Sequence, residues 1–298
     1  MNQDYQQLLQ PQIVNSVSGL SLIARVIVDG FLSGRHQSRR VGHGLEFSQY
    51  RAYQPGDDMR LLDWKMLARS GRYYIKQADI DTHVSIKFIV DASASMCYEE
   101  KGLSKMDYVR VLVASLSYLA HQQGDAVGLF SLNNERLGSL YPTSQKQHYN
   151  RLLNELLQIK PSGNWPKEID DIGKVHNRTH KELLFFITDM YEDGEELSNW
   201  VKHLKTSKNE VAVLQVLGKQ EAEFSYSGAL VFEDLETGKR VKVDAKDTKE
   251  YYLKKMGEAL KESKDSFLAK DIGYDLFRFD EPIQESLQFF LKRRNNLS

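Results

Sequence analysis

Val84-Ser85-Ile86-Lys87-Phe88-Ile89-Val90-Asp91-Ala92-Ser93-Ala94-Ser95 is the stretch on which the fold turns. Val84 to Val90 reads as an apolar run, the signature of a strand buried on both faces of a parallel sheet. A helix-like segment follows. The loop between them carries a carboxylate and two hydroxyls at the carboxyl end of the strand. Open α/β sheets bind ligands at that edge. Hard cations take oxygen ligands, and Mg2+ uses one or two carboxylates while keeping several waters. Ser93 and Ser95 are placed to hold an ion directly, and Asp91 directly or through water. Asp-x-Ser-x-Ser is common in loops, so its meaning comes from its place after a strand.

Downstream, strand-like and helix-like segments alternate. Met106 to Gln122 repeats apolar residues at a helical period through Val109, Leu112, Val113, Leu116 and Leu119. Gly124-Asp125 breaks that helix, and Ala126 to Leu132 reads as a strand, with Leu137 to Tyr141 a short edge strand. Lys146 to Leu157 reads as a helix and Leu183 to Thr188 as the next buried strand. Glu195 to Thr206 is helical, Val211 to Leu217 a strand, and Leu230 to Val243 a hairpin around Glu236-Thr237-Gly238-Lys239. A long helix over Thr248 to Ala269, a strand over Tyr274 to Phe279 and a helix over Pro282 to Arg293 complete the chain. This alternation predicts a mostly parallel sheet with helices on both faces. Residues 1–80 differ in texture. They begin with a helical pattern, Leu20 to Leu32, then become rich in Gly, Arg and Asp. The expected division is an extension over 1–80 packed on a main domain over 81–298.

Composition narrows the function classes. The 298 residues are 41% hydrophobic and 27% charged, with a formal net charge of -1, so no global field favours nucleic acid or an anionic membrane. The single cysteine, Cys97, excludes an intramolecular disulfide framework and suits a reducing, cytoplasmic setting. Its default reading is a small buried thiol. The polar start, MNQDYQQLLQPQ, lacks a basic n-region, and no apolar run reaches the ~20 residues of a bilayer span. No HExxH, CxxC, GxSxG or Gly-rich phosphate loop is present, and Ser93 and Ser95 have no evident histidine base.

Asp189 repeats the placement of Asp91, since it follows the apolar run LLFFIT. The two converge if their strands are neighbours; otherwise Asp189 serves as a helix cap. Glu192 and Asp193 read as solvated charges. A denser constellation lies upstream, where Glu46, Arg51, Asp57, Asp58, Arg60 and Asp63 surround the turn Pro55-Gly56-Asp57-Asp58 and end at Trp64. Residue chemistry alone favours an ion network that locks a loop through paired Arg–carboxylate bonds, with a partner or phosphate site as the alternative. The basic run Gly34 to Arg40 is brief and without aromatics, and reads as a solvated or partner-contacting loop.

These motifs carry a family resemblance. Asp91-Ala92-Ser93-Ala94-Ser95 after an apolar strand, with Asp189 in Ile187-Thr188-Asp189, resembles a von Willebrand factor A domain and its metal-ion-dependent adhesion site. Gly44 to Phe47, Arg51 to Asp58, Arg60, Asp63-Trp64 and Ala68-Arg69 resemble a narrower bacterial group, domain of unknown function 58, as does Phe232 to Gly238. The resemblance implies a von Willebrand A-like α/β fold and no established enzymatic activity. It also implies a habit of working with MoxR-type AAA+ ATPases as adaptors, which turns the upstream block into a candidate partner surface. One departure stands out. The full metal site has a threonine on a middle loop, before Asp-Ile. Here Asp170 of Asp170-Asp171-Ile172 takes that place, or, aligned from Ser162-Gly163, Asn164 or Trp165 does.

The expected function is a cytoplasmic, non-enzymatic interaction module. It would hold Mg2+, Ca2+ or Mn2+ at Asp91, Ser93, Ser95, Asp170 and Asp189 and keep one position open for a partner carboxylate. The rival readings are a metal-dependent phosphatase or nuclease and a scaffold whose metal site has decayed. Nucleic acid and a direct membrane span are not expected among its partners.

Overall fold

The computed structural model describes residues 9–33, 47–54, 57, 59, 62–78, 84–166, 175, 182–191 and 195–295. Contacts divide the chain into two units, residues 1–34 with 84–298, and residues 35–83.

The larger unit is built on a six-stranded sheet of β1 (Ser85–Asp91), β2 (Ala126–Leu132), β3 (Leu137–Thr143), β4 (Glu182–Thr188), β5 (Asn209–Leu217) and β6 (Gly273–Arg278). Their order across the sheet is β6-β5-β4-β1-β2-β3, and every neighbouring pair is parallel except β2 with β3. This is the doubly wound order, and its direction reverses between β1 and β4. Ligands bind at the carboxyl ends of the strands at such a reversal. The fold is therefore the expected von Willebrand A-like α/β sheet, with the antiparallel strand confined to one edge.

The main helices are α1 (Val17–Ser33), α2 (Lys105–Gln122), α3 (His148–Gln158), α4 (Glu196–Leu204), α5 (Lys219–Glu223), α6 (Ala245–Leu268) and α7 (Ile283–Asn295). Side chains alternate across a strand, so β1 feeds two cores. Ile86, Phe88 and Val90 pack with Leu20 and Ile23 of α1, Leu112 of α2, Leu152 of α3 and Leu287 of α7. Ile89 packs on the opposite side with Phe186, Trp200 and Val201. The second face also holds Lys87, the one charge in the run. Its ammonium is buried against Glu182 at 2.6 Å and donates to the Val175 carbonyl at 2.8 Å. A lysine is tolerated in a central strand because its charge is paired and hydrogen-bonded.

α2 begins at a reciprocal cap, in which Asp107 N–H donates to Ser104 Oγ at 3.0 Å and Ser104 N–H donates to Asp107 Oδ2 at 3.3 Å. Ala229–Glu233 and Arg240–Asp244 form the expected hairpin as a separate two-stranded ribbon. Its turn is organised by Asp234, whose Oδ1 accepts from Glu236 N–H at 2.8 Å and Thr237 N–H at 3.1 Å. No described helix is long and apolar enough to cross a membrane.

The smaller unit contains an antiparallel pair, Phe47–Ala52 with Tyr74–Ala78, and a helix, Trp64–Ser70. Asp63 caps that helix, and Gly71 ends it in the left-handed region at φ 66.

Two expectations are corrected. The division at residue 80 places the first helices on the wrong side. α1 belongs to the larger unit because Leu20, Ile23, Ala24 and Ile27 form part of its main core, while residues 35–83 stand as their own unit. Cys97 is exposed, not buried. It ends a single 3-10 turn, Ala94–Cys97, in which Met96 takes the core position instead.

Candidate metal and partner site

β1 and β4 are hydrogen-bonded neighbours in register from Ser85↔Glu182 to Val90↔Ile187, so Asp91 and Thr188 emerge side by side. Asp91 is fully buried. Its Oδ1 accepts from Ser93 N–H at 2.9 Å and its Oδ2 from the Thr188 hydroxyl at 2.7 Å. The Ser93 and Ser95 hydroxyls lie 2.9 Å apart, and Ser95 Oγ donates to Asp189 Oδ1 at 3.2 Å. Four sequence-predicted residues, Asp91, Ser93, Ser95 and Asp189, thus meet at one strand-tip pocket.

Asp189 does not cap the next helix, whose N-cap is Glu195. It is turned inward instead. Met190 adopts the left-handed conformation at φ 59, and its N–H donates to Thr188 Oγ1 at 2.9 Å. A non-glycine residue there costs ~1–3 kcal/mol and persists where its surroundings fix it. The Asp189 carbonyl accepts from Gln215 Nε2 at 3.0 Å, and Gln215 is in turn held by the Tyr274 hydroxyl.

The middle loop reaches the site through its backbone. Ser162 N–H donates to the Ala92 carbonyl at 2.9 Å, and Ala94 N–H donates to the Gly163 carbonyl at 2.8 Å. The Ser162-Gly163-Asn164 alignment thus corresponds to the segment lying against the serine loop. Trp165 is buried against Phe186 and Trp200 and offers no ligand. Asp170, Glu192 and Asp193 lie outside the described residues.

Sequence reasoning missed three members of this site. Lys105 is buried, with its ammonium 2.7 Å from both Asp189 Oδ2 and Glu221 Oε1. Burial alone would lower its pKa, but the two carboxylates reverse this and hold it above the ordinary lysine value. Glu221 is fixed by its other oxygen, which accepts from Gly218 N–H at 2.8 Å. Glu236 reaches in from the hairpin turn and lies beside the Ser93 and Ser95 hydroxyls. No spacing rule links residues 105, 221 and 236 to a strand tip near 91. The one available signal was the stretch Phe232 to Gly238, read as a hairpin turn and as part of the family resemblance, with no role at the strand tips.

The electrostatics follow from crowding acids in a dry place. The Asp91 carboxyl is pushed up to about 6, by burial first and the Asp189 charge second, against the hydrogen bonds from Thr188 and Ser93. Glu236 is pushed up to about 7 by burial and by Asp91 and Asp189, with Ser93 and Ser95 opposing. Its Oε1 is buried and has no hydrogen-bond partner among the described residues.

These donors fit a hard divalent cation. All are oxygens, the donor type that such an ion takes, and they are held together by hydrogen bonds of 2.9 Å and 3.2 Å among themselves. Among the described residues no three Asp, Glu, His or Cys side chains converge as a ligand cluster. The donor set is therefore two carboxylates plus two hydroxyls. Lys105 already balances one of those carboxylates, Asp189.

The upstream block is only partly described. Glu46, Asp58 and Arg60 lie outside the described residues, and Arg51 is placed only as part of its strand. Asp57 Oδ2 accepts from Gln54 N–H at 2.8 Å, and Asp63 Oδ1 accepts from Lys65 and Met66 N–H at 2.9 and 3.1 Å. Both thus shape local backbone. Trp64 is 59% exposed and Met59 60%.

The profile of a family described as "Protein of unknown function DUF58" matches residues 49–261. Uncharacterized protein Rv1480 of Mycobacterium tuberculosis is 25% identical over 235 residues, covering 76% of this chain and 72% of its own. BatB from Bacteroides thetaiotaomicron superposes with a TM-score of 0.44 at 17% identity, over 72% of this chain and 99% of that one. The SpRpn10 VWA domain superposes with a TM-score of 0.39 at 11% identity, over 69% of this chain and 94% of that one. At these scores the fold rests on the strand order above and not on the superpositions.

Proposed function

The chain belongs to the DUF58 family, and from that premise we propose that it is a non-enzymatic protein-interaction module with a metal-ion-dependent adhesion-type site. The observation that carries this reading is the convergence of Asp91, Ser93, Ser95 and Asp189 where the sheet order reverses. Ser93 and Ser95 would hold a divalent ion directly, and Asp91 and Asp189, whose oxygens all accept protein hydrogen bonds, directly or through water. A bound Mg2+, Mn2+ or Ca2+ would supply one open coordination position for a carboxylate of a partner.

The chain's own residues prepare that position. Thr188 and Ser93 fix the Asp91 carboxylate, and Lys105 steadies Asp189 without entering the donor set. Asp170 is proposed as a further ligand from the sequence alignment alone.

The partner proposed is a MoxR-type AAA+ ATPase in a cytoplasmic setting. The smaller unit would supply a second surface, drawing on exposed Trp64 and Met59 and on the charged residues that the sequence reading singles out, Glu46, Arg51, Asp57, Asp58, Arg60 and Asp63. Buried aromatic anchors dominate the energetics of protein interfaces, which singles out Trp64.

The test is binding to the cognate ATPase with and without EDTA. The reading predicts that EDTA and Asp91→Asn each weaken binding by ~10-fold or more, about 1.4 kcal/mol. Equal binding in all three conditions removes the ion from the interaction.

A further inference from the structure

α7 buries one face and leaves the other uncovered. Ile283, Leu287 and Phe290 belong to the main core, where Phe290 packs on Phe185 and Phe277. On the outer face Glu285, Phe289 and Arg293 recur at helical i, i+4 spacing and form a single stripe. Phe289 is 68% exposed, more than any other large apolar side chain among the described residues. The stripe borders a groove of about 840 Å³ that runs along β6 to Leu260, Lys261 and Lys264 of α6. β6 ends the sheet, and its outer edge has no partner strand among the described residues. Leu276 in that strand is 40% exposed. An open apolar strand edge is a template for pairing with another chain unless it is covered.

We propose that this groove is the contact between two copies of the chain, with α7 packed antiparallel on α7 of the second copy about a two-fold axis at Phe289.

The charge pattern of the stripe selects that occupant. The two sides of a two-fold interface are the same surface, so the surface must complement itself. Glu285 and Arg293 stand one at each end of the stripe, with Phe289 midway between them. An axis at Phe289 therefore sets each Glu285 against the Arg293 of the other copy, and the two Phe289 rings against each other. Arg293 is already held for this. It is ion-paired with Asp275 and donates to the Tyr274 carbonyl at 3.0 Å, and both bonds use Nη2. The groove carries no excess charge that would draw a charged ligand instead, since Lys261, Lys264 and Arg293 balance Asp275, Glu281 and Glu285. What remains to be covered is apolar, Leu276 and Phe289, and removing that area from water drives the association.

Sedimentation equilibrium of the full chain tests the proposal. Wild type is expected to show a monomer–dimer equilibrium over micromolar concentrations. Phe289→Asp and Glu285→Arg change exposed side chains and leave the core intact. Each is expected to weaken the dimer by about 10-fold or more, about 1.4 kcal/mol. A wild-type chain that stays monomeric throughout overturns the proposal, and so does a dimer as tight in either variant as in wild type. A second measurement reads the register. In a Cys97→Ser background, Phe289→Cys is expected to give a disulfide-linked dimer under mild oxidation. Tyr251→Cys, which is exposed on α6 outside the groove lining, is not. Equal cross-linking of the two overturns the antiparallel α7 contact.

Discussion

The Thr188 hydroxyl donates a 2.7 Å hydrogen bond to Asp91 Oδ2, joining the tips of two neighbouring parallel strands at the point where the sheet order reverses. The same hydroxyl accepts from Met190 N–H at 2.9 Å, so one side chain fixes both the buried acid and the turn that carries Asp189.

Thr188→Val removes that hydroxyl and keeps the shape. Asp91 Oδ2 and Met190 N–H then lose a partner in a buried setting. The expected cost is ~1–3 kcal/mol of unfolding free energy, the penalty for an unsatisfied buried group. Urea denaturation measures it, and Thr188→Ser, which keeps the hydroxyl, is expected to recover most of the loss.

Lys105→Met removes the cation between Asp189 and Glu221. Breaking a buried ion pair on one side costs ~3–5 kcal/mol, because the remaining charge stays uncompensated. Two rescues are expected. Asp189→Asn in the same chain removes the stranded charge, and millimolar Mg2+ offsets it in the single variant. Thermal unfolding of the single and double variants, with and without Mg2+, checks both.

The pH dependence has a definite sign. The folded pKa of Asp91 stands at about 6 and that of Glu236 at about 7, above their ordinary values of 3.8 and 4.5. The folded chain therefore binds these protons more tightly than the unfolded chain. Their contribution to stability is fully present below pH ~4 and is lost as pH rises through about 6 to 7. Ion binding runs the other way, since protonated carboxyls do not ligate. Mn2+ affinity is expected to fall as pH drops from 8 to 6, and Glu236→Gln is expected to flatten the upper part of that profile. Calorimetric titration across this range measures both.

An ion that binds only the folded chain stabilises it by mass action. At a concentration of about 100 times Kd the gain is ~2.7 kcal/mol. Thermal unfolding with a Mg2+ series is expected to show a rising midpoint in wild type and a smaller rise, displaced to higher Mg2+, in Asp91→Asn.

The order of strands and helices was legible because the chain advertises it. β2 runs over Ala126–Leu132 as its apolar pattern indicates, and β1 sits one residue from its expected place. Asp91 and Asp189 were legible as a pair because each ends an apolar run, and parallel neighbours present such ends side by side. Lys105, Glu221 and Glu236 were not, because tertiary contacts bring them in from 116 residues away in the case of Lys105 and Glu221. Cys97 misled because the apolar default for a lone thiol ignores a 3-10 turn that gives the core position to Met96. The division at residue 80 misled because α1 is continuous in sequence with the smaller unit yet buries its apolar face against α2.

Calorimetric titration of Mn2+ into the wild-type chain and into Asp91→Asn tests the central claim most directly. The account predicts one ion per wild-type chain and at least ~10-fold weaker binding in the variant, about 1.4 kcal/mol. Absence of binding to wild type at millimolar Mn2+, or equal binding to both chains, contradicts it.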